Sequence, residues 1–152
     1  PPEMTVLFPV AEGTARTVES YENLLEQYYS NYHVIVLDQT PQKQATQVLQ
    51  AISDPRVGLL HVPVGARTAM HAMLKQIRTP FVLFFANGSP MDYYALHSMA
   101  QALRAAESPR ILAAFLPANG SGGQLRDHPA PFEPVFFHLY RTSRLLEVWQ
   151  IP

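Results

Sequence analysis

Residues Ser30–Pro41 read SNYHVIVLDQTP. Within them His33–Leu37 is a short, nearly continuous apolar run, which suits a strand buried on both faces, as in a parallel sheet. The run closes on an acid, Asp38. Thr40-Pro41 then reads as a helix N-cap followed by proline at the first helical position. A buried strand, an acid at its carboxyl end and an immediate helix start together define a β-α unit. The rest of the chain repeats it.

Similar apolar runs occur at Met4–Val10 (MTVLFPV), Val57–Val62 (VGLLHV), Phe81–Ala86 (FVLFFA) and Ile111–Leu116 (ILAAFL). Helix-period segments lie between them. In Thr14–Ser30 the apolar positions are Val18, Tyr21, Leu25 and Tyr28. In Gln42–Ser53 they are Ala45, Val48, Leu49 and Ile52. Ser89-Pro90 predicts another helix start, with Asp92 as a favourable negative charge in its first turn. That helix carries Tyr94, Ala95, Ala102, Leu103 and Ala106 and stops near Pro109. A shorter helix is expected between Arg67 and Gln76. The β-α-β-α-β-α-β-α-β order predicts a three-layer α/β/α fold with a mostly parallel sheet.

Ligands of such sheets bind outside the carboxyl ends of the strands. Three segments should form that edge: Val10–Thr14, Asp38–Pro41 and Ala86–Pro90. From Pro117 the texture changes, and residues 117–134 (PANGSGGQLRDHPAPFEP) are expected to form an irregular loop. Val135–Tyr140 (VFFHLY) reads as a further strand. Thr142 or Ser143 is expected to cap a last helix through Val148.

The length of 152 residues corresponds to one domain, residues 1–152. Apolar residues are 47% and charged residues 15%, a globular balance that excludes wholesale disorder. The net charge is −1 and the sequence pI about 6.7, so the basic patch expected of a nucleic-acid or anionic-membrane binder is absent. There is no cysteine, which excludes disulfides and thiolate metal sites. A reducing, cytoplasmic setting is expected. No apolar run is long enough to cross a bilayer, and a signal peptide is not expected in these residues. Pro1-Pro2, without an initiator Met, predicts a piece of a longer chain.

Several chemistries are eliminated by motif. The first strand-to-helix turn, VAEGTART, has a single glycine and cannot supply G-x-G-x-x-G. There is no P-loop and no G-x-S-x-G elbow. The six histidines are scattered, with no H-x-x-x-H pair, so a zinc site is not expected. Asp38 could accept hydrogen bonds from a ribose hydroxyl or a base N–H. A turn aspartate that bonds its own backbone is the plainer alternative. Asn87-Gly88-Ser89-Pro90 could present backbone N–H groups to a diphosphate at a helix start. A plain turn capped by Ser89 is the favoured reading.

These segments resemble the family-2 glycosyltransferases, which have the GT-A fold. VLFPVAEGTARTVESYENLLEQYYSNYHVIVLDQTP is similar to that family's first β-α-β unit. SDPRVGLLHVP resembles its next segment, TPFVLFFANGSPM the strand bearing its metal-binding Asp-x-Asp, and PVFFHLYRTSRLLEVW the strand and helix leading into its acceptor site. In that last segment Arg141 holds a frequently basic position. The resemblance covers nearly the whole chain. It implies nucleotide contacts at Pro9, Ala11, Glu12, Asp38, Arg67, Asn87 and Ser89.

The departures cluster on the binding edge. The family's Tyr-Asn-Glu reads Ala11-Glu12-Gly13, and its Arg-Asn aligns near Met70-His71, with Arg67 one turn earlier. The acidic motif reads Ala86-Asn87-Gly88. Magnesium and manganese take carboxylate oxygens. Ala86 and Gly88 have no side-chain oxygen, Asn87 offers one neutral carbonyl, and Asp92 lies a turn further on. A divalent metal is therefore not expected, while a sugar nucleotide is a possible ligand. The resemblance places the catalytic base beyond residue 152, so no catalytic residue is expected here.

The resulting expectation is a degenerate glycosyltransferase domain that docks, regulates or positions. Its partners would be other domains of its own polypeptide or a partner protein, and nucleic acid is not among them. The alternative is the nucleotide-sugar-binding half of an active, metal-independent transferase. A third reading is a doubly wound interaction domain unrelated to sugars. Tyr28, Tyr29 and Tyr32, and Phe81, Phe84 and Phe85, are read as packing residues. The sequons at Asn87 and Asn119 are read as turns.

Overall fold

The computed structural model describes residues 1–62, 72–85, 88, 90–116, 124–127 and 137–148. Seven strands form one sheet: β1 (Met4–Val10), β2 (Tyr32–Asp38), β3 (Val57–His61), β4 (Phe81–Phe84), β5 (Ala113–Leu116), β6 (Gln124–Arg126) and β7 (Phe137–Arg141). Four helices are described: α1 (Ala15–Leu25), α2 (Gln44–Leu49), α3 (Ala95–Ala105) and α4 (Thr142–Val148). The sheet order is β3-β2-β1-β4-β7-β5-β6. Strands β1 to β4 pair in parallel, and β7 enters antiparallel between β4 and β5.

β1 is an interior strand, between β2 and β4, and is packed on both faces. Val6, Phe8 and Val10 pack with Tyr21 and Leu24 of α1, Leu49 of α2, and Leu96, Met99 and Leu103 of α3. Leu7, on the opposite face, packs with Leu74, Val82, Leu112 and Leu145. The two clusters on opposite faces of one sheet are the three layers that the alternating pattern predicts. Burial of each such side chain contributes about 1.5–3 kcal/mol.

Four details depart from the sequence reading. The segment Val57–Val62 is expected to be buried on both faces, but β3 is an edge strand whose Leu60 is 44% exposed. The helix expected from Gln42 begins at Gln44, after a 3-10 turn at Pro41–Lys43. In that turn Gln42 and Lys43 have φ of 55° and 58°, in the left-handed region. The helix expected at Ser89-Pro90 begins only at Ala95. Residues 117–134 are expected to be irregular, yet Gln124–Arg126 is a strand paired antiparallel to β5. An edge strand held by backbone bonds needs no apolar pattern, so it leaves no periodic signal. Of the helix expected between Arg67 and Gln76, residues 72–74 are helical and 67–71 lie outside the described residues.

Candidate functional site at the carboxyl edge of the sheet

Parallel register brings the ends of β1 and β2 together: Val10 stands opposite Asp38, and Pro9 opposite Leu37. Ala11 and Glu12 follow β1 and are exposed. The backbone carbonyl of Glu12 accepts a hydrogen bond from the Thr17 hydroxyl. Gly13 lies against the start of α2. A Cβ there would stand 3.1 Å from the Ala45 nitrogen and the Gln44 carbonyl carbon. The β1–α1 and β2–α2 connections therefore pack backbone to backbone, a close approach that favours glycine.

Asp38 is fully buried. Its Oδ1 accepts from the Thr40 backbone N–H at 2.8 Å and from the Thr40 hydroxyl. Its Oδ2 accepts from the Thr46 N–H at 2.8 Å and the Thr46 hydroxyl at 2.6 Å. Thr40 Oγ1 in turn accepts from the Ala45 N–H at 2.9 Å. A carboxylate has about four lone-pair sites, and here all four are engaged. Burial alone would raise the Asp38 pKa, but the side-chain and backbone hydrogen bonds from Thr40 and Thr46 outweigh it and hold the carboxyl below its ordinary value. The carboxylate thus ties β2 to α2 across the left-handed turn. Thr40 acts by accepting from the helix start, as an N-cap does, at a more distant position than the sequence pattern suggests.

At the end of β4, Gly88 has φ of +83°, which glycine adopts freely. Its N–H donates to Ser20 Oγ at 2.7 Å. Polar residues of α1 and of the turn just after it then clamp the described residues that lead into α3. Asn23 accepts from the Met91 N–H at 2.9 Å and donates to the Met91 carbonyl at 3.1 Å. Gln27 donates to the Asp92 carbonyl at 2.8 Å and accepts from the Leu96 N–H at 3.1 Å. The clamp delays α3 to Ala95, because residues 90–94 are bound lengthwise along α1. Asp92 accepts from the Tyr94 N–H at 3.1 Å, just before the helix.

Arg16 precedes these residues, at the exposed first turn of α1. Its side chain covers Gly88: a Cβ built there would lie 2.6 Å from Arg16 Nε and 3.0 Å from Cζ. The sequence reading missed Arg16. Its signal was available in the spacing of Arg16, Ser20, Asn23 and Gln27, polar residues at helical period beside the buried Tyr21–Leu24 face. The expected contacts at Arg67, Asn87 and Ser89, and Ala86 of the acidic-motif position, lie outside the described residues. Among the described residues, no group of three or more His, Asp or Glu side chains is placed to hold a metal ion.

The opposite edge of the sheet is structural. Glu3 accepts from Tyr29 Oη at 2.5 Å and from Arg104 Nε at 3.0 Å, tying the start of β1 to the end of α3. Tyr32, expected as packing, is buried, and its hydroxyl donates to the Leu24 carbonyl at 2.8 Å. Burial pushes the Tyr32 pKa up to about 12. Tyr28 instead lies outside, in ring contact with Tyr93, Tyr94 and His97. A shallow depression lined by Ile77, Thr79, Pro80, Arg141, Thr142 and Leu146 also lies at the amino end of β4, away from the loops described above.

A sheet in which β1 to β4 are parallel and β7 is let in antiparallel between β4 and β5, with helices packed on it, defines an α/β domain of the GT-A type. The family model for glycosyl transferase family 2 matches residues 5–148, and the chain belongs to that family. No curated protein matches the sequence. Among solved structures, S. aureus TarS 1-349 in complex with UDP-GlcNAc superposes with a TM-score of 0.70 at 17% identity, covering 95% of this chain and 47% of that one. A mannosyltransferase from Pyrobaculum calidifontis, in complex with GDP-Man and Mn2+, gives 0.58 at 18% identity, covering 74% and 34%. A cytidylyltransferase from Leptospira borgpetersenii gives 0.62 at 12% identity, covering 96% and 63%. The chain thus spans about a third to a half of the two transferases. Among the described residues, no helix is long and apolar enough to cross a membrane.

Proposed function

We propose that this domain keeps the family-2 glycosyltransferase fold, has lost metal-dependent sugar transfer, and serves a non-catalytic binding, docking or regulatory role in a larger protein of polysaccharide biosynthesis. The observation that carries this reading is the state of Asp38. The one acid at the end of β2 is buried, and Thr40 and Thr46 engage its oxygens fully. A nucleotide could donate a hydrogen bond to it only by displacing an internal one. At the β4 end the motif position Gly88 carries no side-chain ligand, and Arg16 lies over it. Retained packing with withdrawn acids is the pattern of a fold kept for binding, since activity resides in sites and not in folds. The partner would be another domain of the same polypeptide or a separate protein, in a cytoplasmic setting.

The alternative, an active metal-independent half-domain, is favoured by one observation, the cationic Arg16 at the binding edge. A turnover assay separates the two. The chain is incubated with UDP- and GDP-sugars, with manganese or with EDTA, and released nucleotide is measured. The proposal expects no release above the protein-free blank in either condition. Manganese-dependent release would overturn it, and release that persists in EDTA would establish the alternative.

A further inference from the structure

The position of Arg16 carries a more specific conclusion, which rests on the family assignment. In the aligned motif, Gly88 stands where the second acid of Asp-x-Asp would stand. The space that an acid at Gly88 would enter first is already filled: its Cβ would meet Arg16 Nε at 2.6 Å. Loss of a carboxylate and arrival of a guanidinium coincide at one point.

That point is held in place. Ser20 fixes the Gly88 N–H at 2.7 Å, and Asn23 and Gln27 fix the following residues. Arg16 is at helical spacing with Ser20 and Asn23 on α1, and Gln27 follows just after the helix. Each of the others is satisfied by the backbone of the connection. Arg16 makes no hydrogen bond or ion pair with another described residue. A cation in the first turn of a helix also opposes the helix dipole, so helix stability does not explain it. A divalent ion would be repelled by this positive charge and would find no carboxylate at Gly88. The residues therefore do not fit the metal.

We propose that the Arg16 guanidinium replaces the divalent cation at this edge, and that a diphosphate bound here is held by Arg16 without metal. Guanidinium donors match phosphate oxygens in a planar, bidentate arrangement and stay charged at every relevant pH. Unlike a metal, the group cannot be removed by chelation. The site would take a phosphate or diphosphate anion from any donor, and the nucleoside need not contact Asp38 at all.

The test is calorimetry with the whole chain, using inorganic pyrophosphate and UDP as probes, in manganese and in EDTA. Pyrophosphate is expected to bind equally in both, and Arg16→Ala to weaken it by about tenfold or more, with Arg16→Lys retaining part of the affinity. Arg16 is exposed, so the variants are expected to keep the wild-type circular dichroism and melting midpoint. Binding that needs manganese would overturn the proposal. So would binding unchanged in Arg16→Ala, or no binding of either probe to the wild type. The last result would leave the non-catalytic reading standing, whereas manganese-dependent turnover would remove that reading irrespective of Arg16.

Discussion

Two turns at the same edge of the sheet depart from an open acidic site in different ways. After β2 the acid is still present, but Asp38 faces inward and joins Thr40 to Thr46. After β4 the acid is absent, and Arg16 lies over Gly88. The first turn converts a ligand-facing residue type into a fastener. The second exchanges the sign of the charge. Acidic residue type at a family position is thus a poor guide to binding: its hydrogen-bond partners decide whether the group is free to act.

The contrast predicts a large stability role for Asp38 and a small one for Arg16. Asp38→Ala leaves the donors of buried Thr40 and half-buried Thr46 unmatched, and should cost about 3 kcal/mol in urea unfolding. A cost under about 0.5 kcal/mol would mean that the fastener is dispensable.

The same network sets a pH dependence. The folded pKa of Asp38 is depressed, as are those of Glu3, bonded to Arg104 and Tyr29, and Asp54, bonded to Arg56. A depressed carboxyl contributes stability above its unfolded pKa, which for aspartate is about 3.9 and for glutamate about 4.3. That stability is lost as pH falls through the folded value. Urea midpoints should therefore be flat near neutrality and decline in acid below these values. In Asp38→Ala the decline should be shallower. An equal decline would show that Asp38 is not a principal titrating contact.

At the second turn, Gly88→Ala should cost about 1–2 kcal/mol, because φ is +83° and the new Cβ meets Arg16. In an Arg16→Ala background the cost should shrink to the backbone strain alone. Equal costs in the two backgrounds would deny the contact. A smaller effect is expected between Asp38 and Thr46. Lys43→Gly relieves a left-handed residue, gaining up to about 1 kcal/mol less the added unfolded-state entropy. Arg16→Ala alone should change stability by about 0.5 kcal/mol or less.

Much of the fold was legible because the central strands carry their burial in their composition. Met4–Val10 matches β1 residue for residue, and the run around His33–Leu37 extends by one residue at each end in β2. What the sequence hid is held by polar atoms. The delayed start of α3 follows from Asn23 and Gln27 gripping residues 91–96, contacts between segments some 68 residues apart. Hydrophobic periodicity has no view of such bonds. Strand β6 is a three-residue polar edge paired by its backbone. At the site, the juxtaposition of Val10 with Asp38 follows from parallel register and could be anticipated. The bond from the Thr40 N–H to Asp38 is the plainer of the two readings given for that residue, whereas its bonds to Thr46 could not be anticipated, because they cross a turn with two non-glycine residues at positive φ. Arg16 sits on a helix whose apolar face alone drew notice.

The central claim is that no chemistry at this edge depends on a divalent metal. Its most direct measurement is a calorimetric titration of UDP into the wild-type chain, once with manganese and once with EDTA, each corrected for the heat of mixing metal with nucleotide. The account predicts that the two corrected isotherms coincide. Binding that appears, or strengthens markedly, only with manganese would contradict it.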